Sequence, residues 1–278
     1  MVQADSAFAA GDVAVADSLY YVAVRQRPRD PEARAALGRY LAAQGKAKVA
    51  IVLLEEARMF GGDPSEIARL LVPEYEFLGE WRALLTLPGS PLSASERKRA
   101  AWLSEHPFIG SDDAAIASII GSPKGDTIAR IPIRIGGRAA VAALVGTDTG
   151  FIAGNALASD SRRFGDSTAL VFDSVTVGAI KMRNVPATMG GGARTMSIGL
   201  AAFGRVIIRI DYAKHVLVIS HIDSGRAESR YPLFRSAGEL RVLDRGRWVS
   251  LSELAAMTAR ASKTLIVDLG AGEVRVRP

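Results

Sequence analysis

The sequence predicts an α+β chain of two unlike parts, a helical repeat array followed by an all-β domain. Two patterns and the seam between them carry that prediction. Over the first hundred residues, small and large apolar positions recur at a 34-residue step, which is the mark of stacked supersecondary units. From Thr127 onward the texture changes to short runs in which apolar and polar residues alternate, separated by glycines, as half-buried strands do. Between them, residues 105–126 mix Pro, Gly, Ser and Asp and end in Gly-Ser-Pro-Lys-Gly-Asp, a composition that punctuates rather than continues an element.

The helical part occupies residues 1–104. Its register is clearest in Leu37-Gly38, Leu41, Gly45, Ala50, Leu54 and Ala57. One step earlier stand Gly11, Ala16, Tyr20 and Ala23, with Pro28 closing the unit; one step later stand Leu71, Tyr75 and Gly79. Each unit is expected to be two antiparallel helices. The glycines make the turn, the alanines allow close helix approach, and Tyr20 and Leu54 fill the groove between units. The third unit departs from the pattern at Leu84 and reads as a cap. This spacing resembles the tetratricopeptide (TPR) repeat over roughly residues 3–90. The resemblance implies a solenoid that binds a peptide, a protein partner or another copy of itself, or that serves only as a spacer.

The segment 105–126 reads as a linker, with Ala114–Ile120 as a short connecting helix. Residues 127–278 form the expected β domain. Ile131 to Val145 makes a hairpin turning at Gly136-Gly137, Ala169 to Met189 makes another turning near Gly178, and Val206 to Ile210 pairs with His215 to Ser220. Phe151-Ile152 begins a further strand. After Tyr231, residues 250–261 read as a helix capped by Ser250 or Ser252, and Leu265 to Pro278 as a terminal hairpin.

The first hairpin runs into Gly146-Thr147-Asp148-Thr149-Gly150. The second carries Val177-Gly178 and then Asn184-Val185-Pro186. Ile198-Gly199-Leu200 follows, and the next strand ends in Asp211-Tyr212. This ordered set resembles the single-lobe, retropepsin-like aspartic proteases over roughly residues 127–222. The resemblance implies an all-β barrel and an endopeptidase with one aspartate per chain, so that catalysis needs a homodimer. Asp148 would be the catalytic carboxylate, with Thr149 and Gly150 shaping its turn. Gly178 would be the tip of a flap over the substrate, with Gly190-Gly191-Gly192 as the other candidate. Ile198 and Gly199 would pack beneath the turn. The other reading of the same residues is a protease fold kept for dimerisation or peptide capture without catalysis.

Composition narrows the field. The 278 residues include no cysteine, so disulfides, thiolate metal sites and thiol nucleophiles are excluded. His106, His215 and His221 are scattered, and neither a metal nor a cofactor is expected. The net charge of +6 is spread singly along the chain, so no nucleic-acid partner is expected. No apolar run is long enough to span a bilayer. The opening residues lack the pattern of a signal peptide; the resemblance to bacterial proteases nevertheless points to a periplasmic or secreted setting, with the cytoplasm as the other choice. Asp268-Leu269-Gly270 looks like a second Asp-x-Gly turn, but its place in the terminal hairpin favours a plain turn. The expected partners are a polypeptide substrate, a second copy of the chain, and a protein bound by the helical repeats.

Overall fold

The computed structural model describes all residues except 111–114, 148–149, 155–156, 158, 160, 166–167, 191–195, 204–205, 221–226 and 237, and the side chain of Ala201. The chain divides into two compact units: Met1–Ser93 with Leu243–Trp248, and Ala94–Val242 with Val249–Pro278.

The first unit holds helices α1 (Val2–Ala9), α2 (Val13–Gln26), α3 (Pro31–Ala43), α4 (Ala47–Met59), α5 (Pro64–Leu78) and α6 (Trp81–Thr86). They form three helical hairpins in the register read from the sequence. Gly11, Gly45 and Gly79 make the turns with φ of +82°, +74° and +71°, a left-handed conformation that a side chain would disfavour. The helix starts are local chemistry. Asp30 accepts from the N–H groups of Glu32 and Ala33, and Asp63 from those of Ser65 and Glu66, each just before a proline in the first turn. That arrangement satisfies amides that have no partner inside the helix. Between α3 and α4, a Cβ on Gly38 would lie 2.9 Å from Leu54 Cγ, so the glycine is what lets the pair close. Ala16, Ala50 and Leu54 are fully buried.

An aromatic cluster completes this unit. The Tyr20 and Tyr40 rings stack at 4.6 Å, Phe8 meets Tyr40 edge-on at 5.5 Å, and Trp248 packs on Phe8 at 5.2 Å while its indole N–H donates to Ala9 O. Tyr20 also donates to Asp5 at 2.6 Å. Burial, and then the Asp5 carboxylate, push the Tyr20 phenol up to about 12.

The second unit begins with helix α7 (Ala94–Glu105). This moves the expected boundary: α7 belongs with the strands, because Ala100 and Leu103 are buried and Arg99 donates to Ala187 O from a buried position. The segment expected to be a connecting helix is instead strand β1 (Ala115–Ser118), antiparallel to β10 (Val216–Ser220). Its alternation, Ala115 and Ala117 buried and Ile116 exposed, is that of a strand.

The remaining strands are β2 (Thr127–Ile135), β3 (Arg138–Val145), β4 (Phe151–Ala153), β5 (Ser161–Arg163), β6 (Ala169–Val177), β7 (Ile180–Met189), β8 (Met196–Gly199), β9 (Ile207–Asp211), β11 (Ser229–Ser236), β12 (Glu239–Asp244), β13 (Arg247–Ser250), β14 (Thr264–Asp268) and β15 (Glu273–Arg277). A 3₁₀ turn covers Leu200–Phe203, and helix α8 covers Leu251–Arg260 with Ser250 as its N-cap, accepting from Glu253 N–H.

The first sheet runs β2-β3-β8-β4-β7-β6-β5, and an added pairing of β2 with β6 closes six of these strands into a barrel. The second sheet runs β1-β10-β9-β14-β15-β11-β12-β13. One apolar core, including Ile131, Leu144, Phe172, Ile198, Ile210 and Leu265, joins both sheets. Burial of such side chains supplies most of the driving force.

The barrel's register has an internal twofold. Hairpin β2–β3 followed by β4 corresponds to hairpin β6–β7 followed by β8. Strand β3 lies parallel to β8, as β7 lies parallel to β4. Strands β2 and β6 pair antiparallel with each other, and so do β4 and β8. Each strand thus meets either its counterpart or its counterpart's neighbour. The correspondence reaches the turns, where Gly136 and Gly178 have φ of +55° and +58°.

Candidate functional site

The connection from β3 to β4 begins and ends beside β8. Val145 pairs with Gly199, Leu144 with Ile198, and Phe151 with Ile198, so β8 runs between the strands on either side of the connection. Two backbone bonds from the end of β8 close it: Gly199 N–H donates to Gly150 O at 3.1 Å, and Leu200 N–H donates to Thr147 O at 3.2 Å. Ile198 is fully buried beneath, and Gly150 is exposed with open space around its Cα. The structure therefore brings Gly150, Ile198 and Gly199 together. Asp148 and Thr149 lie outside the described residues. Phe151 is buried, its ring 6.5 Å from that of Phe203, so the bulky residue after the turn is used by the core.

Gly178 lies elsewhere. Val177 pairs with Ile133, and Ile133 with Ala140 on β3, which sets the hairpin tip ~13–16 Å along the sheet from Val145 at the usual strand rise. A Cβ on Gly178 would meet Ile116 O at 2.4 Å. The hairpin tip expected as a flap thus lies against β1. In the other candidate flap, Gly190 N–H donates to Ala153 O at 2.9 Å, while Gly191 and Gly192 lie outside the described residues.

The near side of the connection is built by residues no local pattern pointed to. Leu240 N–H donates to Gly146 O at 3.0 Å, and Thr147 forms a β-bridge with Glu239. Glu239 pairs with Arg241 at 3.1 Å. A Cβ on Gly146 would lie 2.9 Å from Ser252 Oγ and 3.1 Å from Ser252 N. A side chain at position 146 would therefore crowd the start of α8. These contacts join parts of the chain about a hundred residues apart, so no short motif could announce them.

The remaining expectations fall on structural positions. Asp268 accepts from Ala271 N–H at 2.9 Å and pairs with Arg275 at 3.2 Å, in a hairpin turn between β14 and β15. His106 stacks on Trp102 at 4.4 Å, and His215 sits in the turn between β9 and β10 with φ of +54°; His221 lies outside the described residues. Among the described residues no group of acids and histidines could hold a metal. No helix among them is long and apolar enough to cross a membrane.

No family model matches the chain, and no curated protein matches it. Among solved structures, it is similar to a retropepsin-like aspartic protease from Rickettsia conorii, at 13% identity and a TM-score of 0.28, over 40% of this chain and 93% of that one. A likeness of that depth carries no weight for the site, which stands on its register and hydrogen bonds.

Proposed function

We propose that the chain is an aspartic-type endopeptidase that works as a homodimer, one Asp148 from each copy meeting on a twofold axis. The observation that supports this most is that Thr147 and Gly150, the residues on either side of Asp148 and Thr149, accept from the Leu200 and Gly199 amides at the end of β8. Two carboxylates brought together share one proton, because both cannot ionise at close range. The ionised member takes a proton from water as the water oxygen attacks the peptide carbonyl carbon. The protonated member donates to the carbonyl oxygen. Collapse of the resulting gem-diol breaks the C–N bond, and the nitrogen leaves with the proton. In this reading the helical hairpins are a TPR-like array that recruits the substrate or a partner.

A second reading has its own support. Glu239, Leu240 and Ser252 occupy one side of Gly146-Thr147 from within the same chain. A barrel so covered would suit a protein that captures peptides or dimerises without cleaving them. One experiment separates the two: a mixed peptide library digested from about pH 4 to 7 and read by mass spectrometry, beside Asp148→Asn, with sedimentation for the oligomeric state. Cleavage by a dimeric parent that disappears in the variant is the enzyme. Folded proteins that both leave the library intact are the scaffold.

A further inference from the structure

The positive charges that are dispersed in the sequence are gathered by the barrel. Along β2 and β7 the exposed positions include Arg130, Pro132 and Arg134, and Lys181 and Arg183. The register sets them on one outer surface. Lys181 pairs across to Thr176, Thr176 to Arg134, and Arg134 to Ala139; Arg183 pairs to Ser174, and Pro132 to the exposed Val141. Between these cations, the exposed and half-buried positions on β3 and β6 include Ala139, Val141, Ala143, Ser174 and Thr176. No acid shares them, since Asp173 alternates to the opposite side of β6. None of Arg130, Arg134, Lys181 and Arg183 makes an ion pair among the described residues. Four cations without an ion pair among the described residues therefore border a small centre that includes Pro132 and Val141.

From this surface we infer a docking site for an acidic, extended polypeptide segment, independent of whether Asp148 is catalytic. The spacing is that of strands. Lys181 and Arg183 stand ~7 Å apart along β7, Arg130 and Arg134 ~13 Å apart along β2, and Lys181 and Arg134 ~10 Å apart across one strand. An extended chain repeats its like-facing side chains at ~7 Å and ~13 Å, so acids at alternate positions reach successive cations while the residues between them lie on Pro132 and Val141. Other polyanions fit less well. Single-stranded nucleic acid is held by aromatic stacking platforms, and no exposed position on these four strands is aromatic. Membrane faces insert protruding Trp, Phe or Leu side chains, and this centre is Pro, Val and Ala.

The test is fluorescence anisotropy with a labelled twelve-residue peptide of alternating Glu and Val, on the full chain carrying Asp148→Asn so that hydrolysis cannot imitate release. Saturable binding that weakens as salt rises is expected. Arg134→Glu with Lys181→Glu should weaken it by about tenfold, while Arg25→Glu, on the exposed side of α2, should leave it unchanged. Val141→Ser should weaken it by about threefold, reporting the apolar centre. Matching thermal melts show that the variants are folded. Absence of binding at low salt, equal binding by the charge-reversed variant, or displacement of the peptide by a twelve-residue oligothymidine or by phosphatidylglycerol vesicles would overturn the inference.

Discussion

The helical hairpins and the barrel bury their apolar residues by opposite routes. In the hairpins the partners are near in sequence: Gly38 faces Leu54, and Tyr20 stacks on Tyr40. In the barrel the partners are remote: Val145 meets Gly199, Ile135 meets Val175, and Gly146 meets Leu240. A local scheme can be written as a repeat and read as one. A remote scheme can be closed only by register, and a register leaves no trace in any short window. The barrel gains from this a place where several distant strands converge on one backbone turn. The helical hairpins pack instead on the helices that neighbour them in sequence.

The largest test of that contrast is Leu54→Ala. Leu54 is fully buried between α3 and its neighbours, and truncation should cost the helical unit about 2–5 kcal/mol. Hydrogen exchange followed by mass spectrometry should show faster exchange across α3, α4 and α5. If protection across β2 to β7 falls by as much, the division between local and remote packing is broken.

Next in size are the two hairpin turns that the barrel's twofold relates. Gly178 carries a positive φ and has Ile116 O where a Cβ would go, whereas Gly137 carries φ of +92° with open space around it. Gly137→Ala should cost about 1 kcal/mol from backbone strain alone. Gly178→Ala should add the clash, for a total of about 2–4 kcal/mol. Denaturant midpoints at unchanged m-value would measure the difference. Equal losses would mean that β1 yields at no cost, and that the two turns are alike after all.

Alkaline titration sharpens the comparison further. The Tyr20 phenol is raised to about 12 by burial and by Asp5, and the Tyr75 phenol to about 12 by burial and by its bond to Glu55. Both belong to the helical unit. A phenol raised in the folded state favours folding below its ordinary value near 10. That contribution falls away as pH climbs from about 10 through about 12, where the unfolded chain ionises first. Tyr20→Phe should flatten this loss, on the order of 1–2 kcal/mol, in melts followed by circular dichroism. A slope identical to the parent's would show that Tyr20 is not held by its surroundings.

Much of the helical unit was legible because each cause lies beside its effect. The glycines with positive φ and the buried Ala50 and Leu54 all stand at the positions their spacing assigns. In the β-rich unit the hairpins at Gly136 and Gly178 were legible for the same reason, as was Ser250 at the start of α8. Ala115–Ser118 was misread as a helix because four alternating residues are too few to fix a period; pairing with β10 decides the matter. The contact of Gly178 with Ile116 was illegible because a glycine in a hairpin turn looks the same whether solvent or Ile116 lies above it. The surroundings of Gly146 and Thr147 were illegible, since Glu239, Leu240 and Ser252 reach them only through the completed fold. The gathering of Arg134 and Lys181 was hidden likewise, being a product of the β2–β6–β7 register.

The smallest effect concerns the one device both units share, the side chain that starts a helix. Asp63 accepts from Ser65 and Glu66 N–H at 2.8 and 2.9 Å, and Ser250 accepts from Glu253 N–H at 3.1 Å. Each bond satisfies an amide that would otherwise lack a partner in its helix. Asp63→Ala and Ser250→Ala should each cost about 1 kcal/mol, read from urea midpoints. Asp63→Asn should restore most of the loss, because asparagine caps as well as aspartate. If Ser250→Ala costs several times more than Asp63→Ala, the cap is not acting locally in the β-rich unit. Ser250 would then also be fixing the position of Ser252 against Gly146, and the start of α8 would be part of what holds the β3–β4 connection in place.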